Sequence, residues 1–107
     1  MNSARIVKLK QFLEQDPNDN FTNYALGLEY ASIKHYEQAI ATFEALINRA
    51  PEYIPTYYQL ADTYRQVNQK EKALAIYREG IMRARAANDL HALSELQAAM
   101  DELDDEM

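Results

Sequence analysis

The sequence predicts an all-α protein of about six helices, arranged as repeated helix hairpins in one domain that spans residues 1–107. Three observations lead to this prediction. The chain contains two glycines and three prolines, and those residues make most of the turns that strands require. Apolar residues recur at steps of three and four, which is the spacing of one helix face. The sequence also matches itself at an offset of 34 residues, a period typical of repeat proteins.

Two consecutive segments, 20–53 and 54–87, align without a gap. The identical positions are mostly small, apolar or aromatic, and they fall at helical spacing. Each segment is therefore predicted to be one structural unit that buries its apolar face against its neighbours. The identical pairs are Thr22/Thr56, Tyr24/Tyr58, Leu26/Leu60, Tyr30/Tyr64, Glu37/Glu71, Ala39/Ala73, Ala41/Ala75, Ile47/Ile81, Arg49/Arg83 and Ala50/Ala84.

Each unit divides into two amphipathic helices joined by a short polar turn. This turn is Lys34-His35 in the first unit and Asn68-Gln69 in the second. Pro51 cannot continue the second helix of the first unit, because proline lacks a backbone N–H and its ring clashes with the preceding turn. Pro55 stands where the first turn of the next helix tolerates proline. The pattern therefore predicts four helices within the two units.

The flanking segments are predicted to be capping helices, 3–15 at the N-terminal end and 89–104 at the C-terminal end. Leu9 precedes Pro17 by eight residues, which is the interval that separates Phe43 from Pro51 in the first unit. The N-terminal segment therefore corresponds to the second helix of a repeat. About three repeats are normally needed to bury a continuous core, so both caps are expected to belong to the fold. The apolar stripe of the last helix is Leu90, Leu93, Leu96, Met100 and Leu103.

Both units carry two short motifs that resemble the tetratricopeptide repeat. The resemblance implies helix hairpins stacked in a right-handed superhelix, with the first helix of each repeat lining a concave groove. The motifs are Asn23-x-x-Leu26-Gly27-x-x-Tyr30 with Ala39-x-x-x-Phe43 and Pro51, and Tyr57-x-x-Leu60-Ala61-x-x-Tyr64 with Ala73-x-x-x-Tyr77.

The second unit departs from the family pattern at its end. Arg85 stands where the closing proline is usual, so the last helix of this unit is predicted to continue to Ala86 or Ala87. The usual leading tryptophan is Asn23 in the first unit and Tyr57 in the second.

The resemblance implies a binding surface on the first helices for a protein or peptide partner. Tyr24 and Tyr58 lie one step off the apolar stripes at equivalent positions, and aromatic side chains provide a large contact area at low entropic cost. We expect these two tyrosines to anchor a peptide, with Arg65 selecting an acidic group on it. The predicted binding residues are Tyr24, Leu28, Ala31, Tyr58, Asp62 and Arg65.

Self-assembly is the alternative function. Two full repeats leave broad helix faces at both ends, and copies that stack through these faces would extend the superhelix as a homo-oligomer. In addition, either the C-terminal helix or a second copy could cover the concave groove. The sequence leaves these arrangements open.

One known use of this groove is disfavoured. Family members that hold the C-terminal tails of heat-shock chaperones need lysine, arginine and asparagine at defined groove positions. The matching positions here contain none of these three residue types. They are Tyr24, Leu28, Gln59, Asp89 and Leu93.

The net charge of −6 is concentrated at one end of the chain. Residues 88–107 contain seven acidic residues and no lysine or arginine, whereas residues 1–87 sum to +1. These acids are expected to keep the C-terminal end soluble and frayed, since they oppose the helix dipole. The negative charge disfavours nucleic acid as a partner. Neither a targeting signal nor a membrane-spanning stretch is evident, so a cytoplasmic location is predicted.

No set of residues predicts an enzyme, a cofactor or a metal site. The chain lacks cysteine, His35 falls in a turn, and His91 is expected on the surface of the last helix. Residues 16–20 resemble the start of a calcium loop but lack its glycine and its final acidic ligand, so a capped turn is predicted there. No catalytic residues are assigned, and a non-catalytic interaction module is the predicted function.

Overall fold

The computed structural model describes residues 3–107, and these form six α-helices with no strand among them. Residues 1 and 2 of the predicted domain lie outside the described residues. The all-α prediction is confirmed. The helices are α1 (Ser3–Gln15), α2 (Asn20–Ser32), α3 (Tyr36–Arg49), α4 (Pro55–Gln66), α5 (Lys70–Ala86) and α6 (Leu90–Glu106).

Each helix packs against the next one along the chain, so that α2 and α3 form one hairpin and α4 and α5 form the next. In addition, α2 contacts α4 and α4 contacts α6. Three alternate helices, α2, α4 and α6, therefore lie side by side. The resulting stack measures 39 × 29 × 20 Å.

The core consists of apolar side chains that lie between the helices of each hairpin. Phe43 of α3 and the equivalent Tyr77 of α5 are completely buried, and so is Tyr57 of α4. Burial of a large apolar side chain contributes roughly 1.5–3 kcal/mol, so these rings hold the hairpins together. Gly27 lets α2 approach α3 closely, since a Cβ atom there would meet the Phe43 ring.

The helix ends after α2, α4 and α5 are built alike. One residue in the left-handed conformation follows each helix, and the next residue donates its backbone N–H to a carbonyl in the last turn of that helix, as in a Schellman motif. Asparagine tolerates this conformation better than most residues, which suits two of the three positions. The left-handed residues are Lys34, Asn68 and Asn88, with φ of 63°, 61° and 55°. The bonds are His35 N to Tyr30 O, Gln69 N to Tyr64 O and Asp89 N to Ala84 O, each 2.9 Å long.

The turn at residues 16–20 caps a helix, as predicted. The Asp19 carboxylate accepts a hydrogen bond from the backbone N–H of Thr22 at 2.9 Å, and the Thr22 hydroxyl donates a second one. These two bonds lower the pKa of Asp19. The arrangement satisfies a backbone donor that would otherwise lack a partner at the start of α2.

The last two helices differ from the pattern of the first repeat. α5 continues to Ala86, as the absence of a closing proline predicts, whereas α3 ends at Arg49.

Asp89 caps α6, since its side chain accepts a hydrogen bond from the backbone N–H of Ala92 at 3.1 Å. The predicted apolar stripe of this helix is buried at Leu96 and Leu103, whereas Leu90, the first residue of α6, is 67% exposed.

Candidate functional site

The three adjacent helices α2, α4 and α6 enclose a cleft of about 340 Å³, which we call the inner cleft. It combines aromatic, polar and acidic side chains from all three helices, so no single repeat forms it. The lining residues are Tyr24, Ile54, Pro55, Tyr58, Gln59, Asp89, His91, Ala92 and Glu95.

Tyr24 forms the α2 side of the inner cleft. Its ring packs edge-on against Tyr53 with a centroid distance of 5.9 Å, and it lies 6.2 Å from the ring of Phe43. Burial raises the pKa of Tyr24, and the neighbouring Gln59 side chain opposes part of that rise. The ring is therefore a neutral, half-buried wall whose orientation is set by two other aromatic residues.

Tyr58 lies at the centre of the candidate site. Its ring makes an edge-on contact with the buried Tyr77, with a centroid distance of 6.3 Å and an interplanar angle of 73°. Tyr58 itself remains 37% exposed. The contact with Tyr77 thus holds the ring in place while part of it is available for contact, and such a preorganised aromatic surface loses little entropy on binding.

A second cleft of about 280 Å³ lies between α4 and α6, and we call it the α4–α6 cleft. Tyr58 and Glu95 line both clefts, so the two clefts adjoin at these side chains, and we call the two together the groove. The lining residues of the α4–α6 cleft are Tyr58, Arg65, Glu95, Ala98, Ala99 and Glu102.

Arg65 is held by acidic side chains of the C-terminal helix. Its Nη2 atom lies 2.9 Å from Glu102 Oε1 and 2.9 Å from Glu106 Oε2, and its side chain is only 17% exposed. Lys70 Nζ also lies 4.0 Å from Glu106 Oε1. These contacts explain why α6 continues to Glu106 and differs from the predicted frayed end, because the cations offset the unfavourable interaction of the acids with the helix dipole.

The hydroxyl group of Tyr77 lies close to Arg65. Together with the Glu102 carboxylate, it raises the pKa of the Arg65 guanidinium group. Burial, in turn, raises the pKa of Tyr77, and the nearby Arg65 opposes part of that rise. The pair lacks good hydrogen-bond geometry, since the buried Tyr77 oxygen has no hydrogen-bond partner within the described residues. Arg65 is therefore surrounded by groups of its own chain.

The structure brings three of the six predicted binding residues into this groove: Tyr24, Tyr58 and Arg65. Leu28 and Ala31 are half-buried and pack against the core. Asp62 is also half-buried, and its charge contributes to the raised pKa of Tyr77. These last three residues line neither cleft.

Most of the groove residues that the sequence pattern did not predict come from α6. The exposed side chains of His91 and Glu95 lie close together, with 3.5 Å between Nε2 and Oε2, and Ala92 lies beside them in the inner cleft. The repeat period offered a signal for this helix, because Ala92 follows Tyr58 by the same interval of 34 residues that separates Tyr58 from Tyr24. The repeat motifs end with the second full unit, so the sequence pattern predicts α6 as a cap and not as a wall of the groove.

Stacked hairpins with a groove along their first helices define a helical-repeat protein. The model of the tetratricopeptide repeat family matches residues 21–86. The chain belongs to this family, whose domains generally mediate protein–protein interactions and are generally non-catalytic. None of the described helices combines the length and apolarity that crossing a membrane requires.

Solved structures agree with this assignment. A tetratricopeptide repeat domain protein from Salinibacter ruber is 38% identical with a TM-score of 0.78, over 82% of this chain and 89% of that chain. A Bordetella parapertussis protein is 22% identical with a TM-score of 0.83, over 94% and 88% of the two chains. A domain of yeast Sti1, in complex with pHsp70, has a TM-score of 0.88 at 15% identity, over 95% and 82%. The last two show the fold alone. No curated protein sequence gives a significant match.

Proposed function

We propose that the protein is a non-catalytic interaction module that binds a peptide segment of a protein partner in the groove formed by the inner cleft and the α4–α6 cleft. The observation that carries this proposal is the position of Tyr58. Its ring is partly exposed, is fixed by Tyr77, and lines both clefts. Aromatic residues of this kind dominate the binding energy of many interfaces.

Tyr24 and Tyr58 are the proposed anchors. They lie on adjacent helices and face one cleft, so a peptide that crosses from α2 to α4 would contact both rings. Gln59 provides side-chain amide groups between them for hydrogen bonds to a peptide backbone. Leu28, Ala31 and Asp62 would support α2 and α4 from outside the two clefts. The tail of a heat-shock chaperone is a disfavoured ligand, because the matching positions lack the cationic residues that would hold its carboxylates.

Replacing Tyr58 by alanine is expected to weaken partner binding by about tenfold or more, because the exposed aromatic contact is lost. The helical content should stay unchanged, since the ring is not fully buried. The measurement is isothermal titration of each variant with a partner recovered from native cells, together with circular dichroism. Tyr36→Ala is the matched control, because Tyr36 lines neither cleft. Loss of helical signal in Tyr58→Ala would instead assign Tyr58 to the core.

Self-association is a second candidate function, favoured by apolar side chains at the N-terminal end of the stack. Val7 and Phe12 of α1 are each 52% exposed, and Phe21 of α2 is 67% exposed. A contiguous apolar patch formed by these side chains would mark an interaction site. The helix face of α1 that points away from α2 would then pack against a second copy.

Light scattering coupled to gel filtration tests this candidate. If copies associate through α1, the apparent mass should rise with protein concentration, and Phe12→Lys should shift the protein toward monomer by placing a charge in the contact. Met82→Lys is the control, since Met82 is 63% exposed on α5, a helix that does not contact α1. A constant monomer mass over a wide concentration range would contradict self-association.

A further inference from the structure

We propose that the groove selects a basic partner, a peptide segment whose lysine or arginine side chain lies on Tyr58 with its cation at Glu95. This inference rests on the proposed function and names the chemical class of its ligand. It reverses the expectation that Arg65 recruits an acidic group.

The charges of the groove are mostly negative. Among the described residues that line the two clefts, Arg65 is the one side chain with a permanent positive charge, whereas Asp89, Glu95 and Glu102 are acidic. Arg65 is already paired with two carboxylates, Glu102 and Glu106. A partner carboxylate that approached it would have to displace these groups or meet their repulsion, and like charges across an interface are costly.

Glu95 is the acidic residue best placed to receive a cation. It lines both clefts together with Tyr58, and its side chain is 57% exposed. Its side chain lies close to that of His91 on the same helix, which is exposed and is a cation only when protonated. Glu95 therefore offers an accessible carboxylate that no lysine or arginine within the described residues pairs with.

Tyr58 provides the aromatic surface that the basic side chain of the partner would contact. A lysine or arginine can lay its aliphatic stem on an aromatic ring while its charged end remains near water, and the ring face itself attracts a cation. Because Tyr58 and Glu95 line the same two clefts, one basic side chain would contact an aromatic surface and a carboxylate together. Tyr24 then provides an apolar wall for a neighbouring residue of the same peptide.

A random-peptide library displayed on phage, selected separately on the wild-type protein and on Tyr58→Ala, is the first experiment. Peptides enriched on the wild type should carry lysine or arginine, and this enrichment should be lost on Tyr58→Ala. A selected peptide is then synthesised, and its dissociation constant is measured with the wild type, Glu95→Gln and the control Glu71→Gln. Glu71 is exposed on α5 and lines neither cleft.

Glu95→Gln is expected to weaken binding of the basic peptide by about threefold to tenfold, whereas Glu71→Gln leaves it unchanged. Enrichment of acidic or uncharged peptides that still depends on Tyr58 would overturn the basic preference while leaving the groove intact. Enrichment that persists on Tyr58→Ala, or no enrichment at all, would overturn the groove itself and with it this inference. A Glu95→Gln variant that binds as tightly as the wild type would also overturn it.

Discussion

Truncation of Tyr77 to alanine is expected to lower the free energy of unfolding by about 3–5 kcal/mol, the usual cost of removing a buried aromatic ring. Tyr77 is completely buried in α5, and its ring contacts Tyr58 at the base of the groove. Urea denaturation followed by circular dichroism measures the loss. Because the ring supports Tyr58, the variant should also bind a partner more weakly under conditions in which it remains folded.

Tyr77→Phe is the matched control, since phenylalanine stands at the equivalent position of the first repeat, Phe43. This variant removes only a hydroxyl group whose oxygen is buried without a hydrogen-bond partner among the described residues. Its stability should therefore remain within about 1 kcal/mol of the wild type. A loss as large as that of Tyr77→Ala would show that the contact of the hydroxyl with Arg65, and not the ring, stabilises this region.

Substitution of Gly80 by alanine is expected to destabilise the protein by about 2 kcal/mol, as overpacking of the core outweighs the gain in helix propensity. A Cβ atom at this position would lie 2.6 Å from Tyr57 Cβ and 3.1 Å from Leu96 Cδ1. The Tyr57 Cβ atom is attached directly to the backbone of α4, so no side-chain rotation relieves the contact. Only a displacement of α5 from α4 would do so. The measurement is again urea denaturation.

Gly27→Ala provides the comparison for that result. A Cβ atom there would meet the Phe43 ring, at 2.7 Å from Cδ1 and Cζ and closer still to Cε1. A ring can tilt, and the second repeat accommodates a methyl group at the equivalent Ala61, so a smaller loss of stability is expected. If Gly80→Ala were as stable as the wild type, the packing of α4 against α5 would be looser than the distances indicate.

The candidate site could be predicted only in part. Tyr24 and Tyr58 were identifiable because they recur at the repeat period just outside the apolar stripe, and both line the inner cleft. Asp62 lies on the same helix as Tyr58 but lines neither cleft. Helical periodicity gives the direction of a side chain around its own helix. It does not give the position of the neighbouring helix that closes a cleft beside it.

The sequence by itself determined the repeat unit and the hairpins, because these depend on residues close together in the chain or related by one period of 34 residues. Only the tertiary structure decided the charge of the groove. Arg65 pairs with Glu102 and Glu106, which lie 37 and 41 residues further along the chain. Whether such charges meet depends on the angle and rotation at which α6 packs beside α4. Of the acidic residues that give the chain its net charge of −6, Glu102 and Glu106 are therefore paired with Arg65 within the fold, whereas Glu95 remains exposed beside Tyr58.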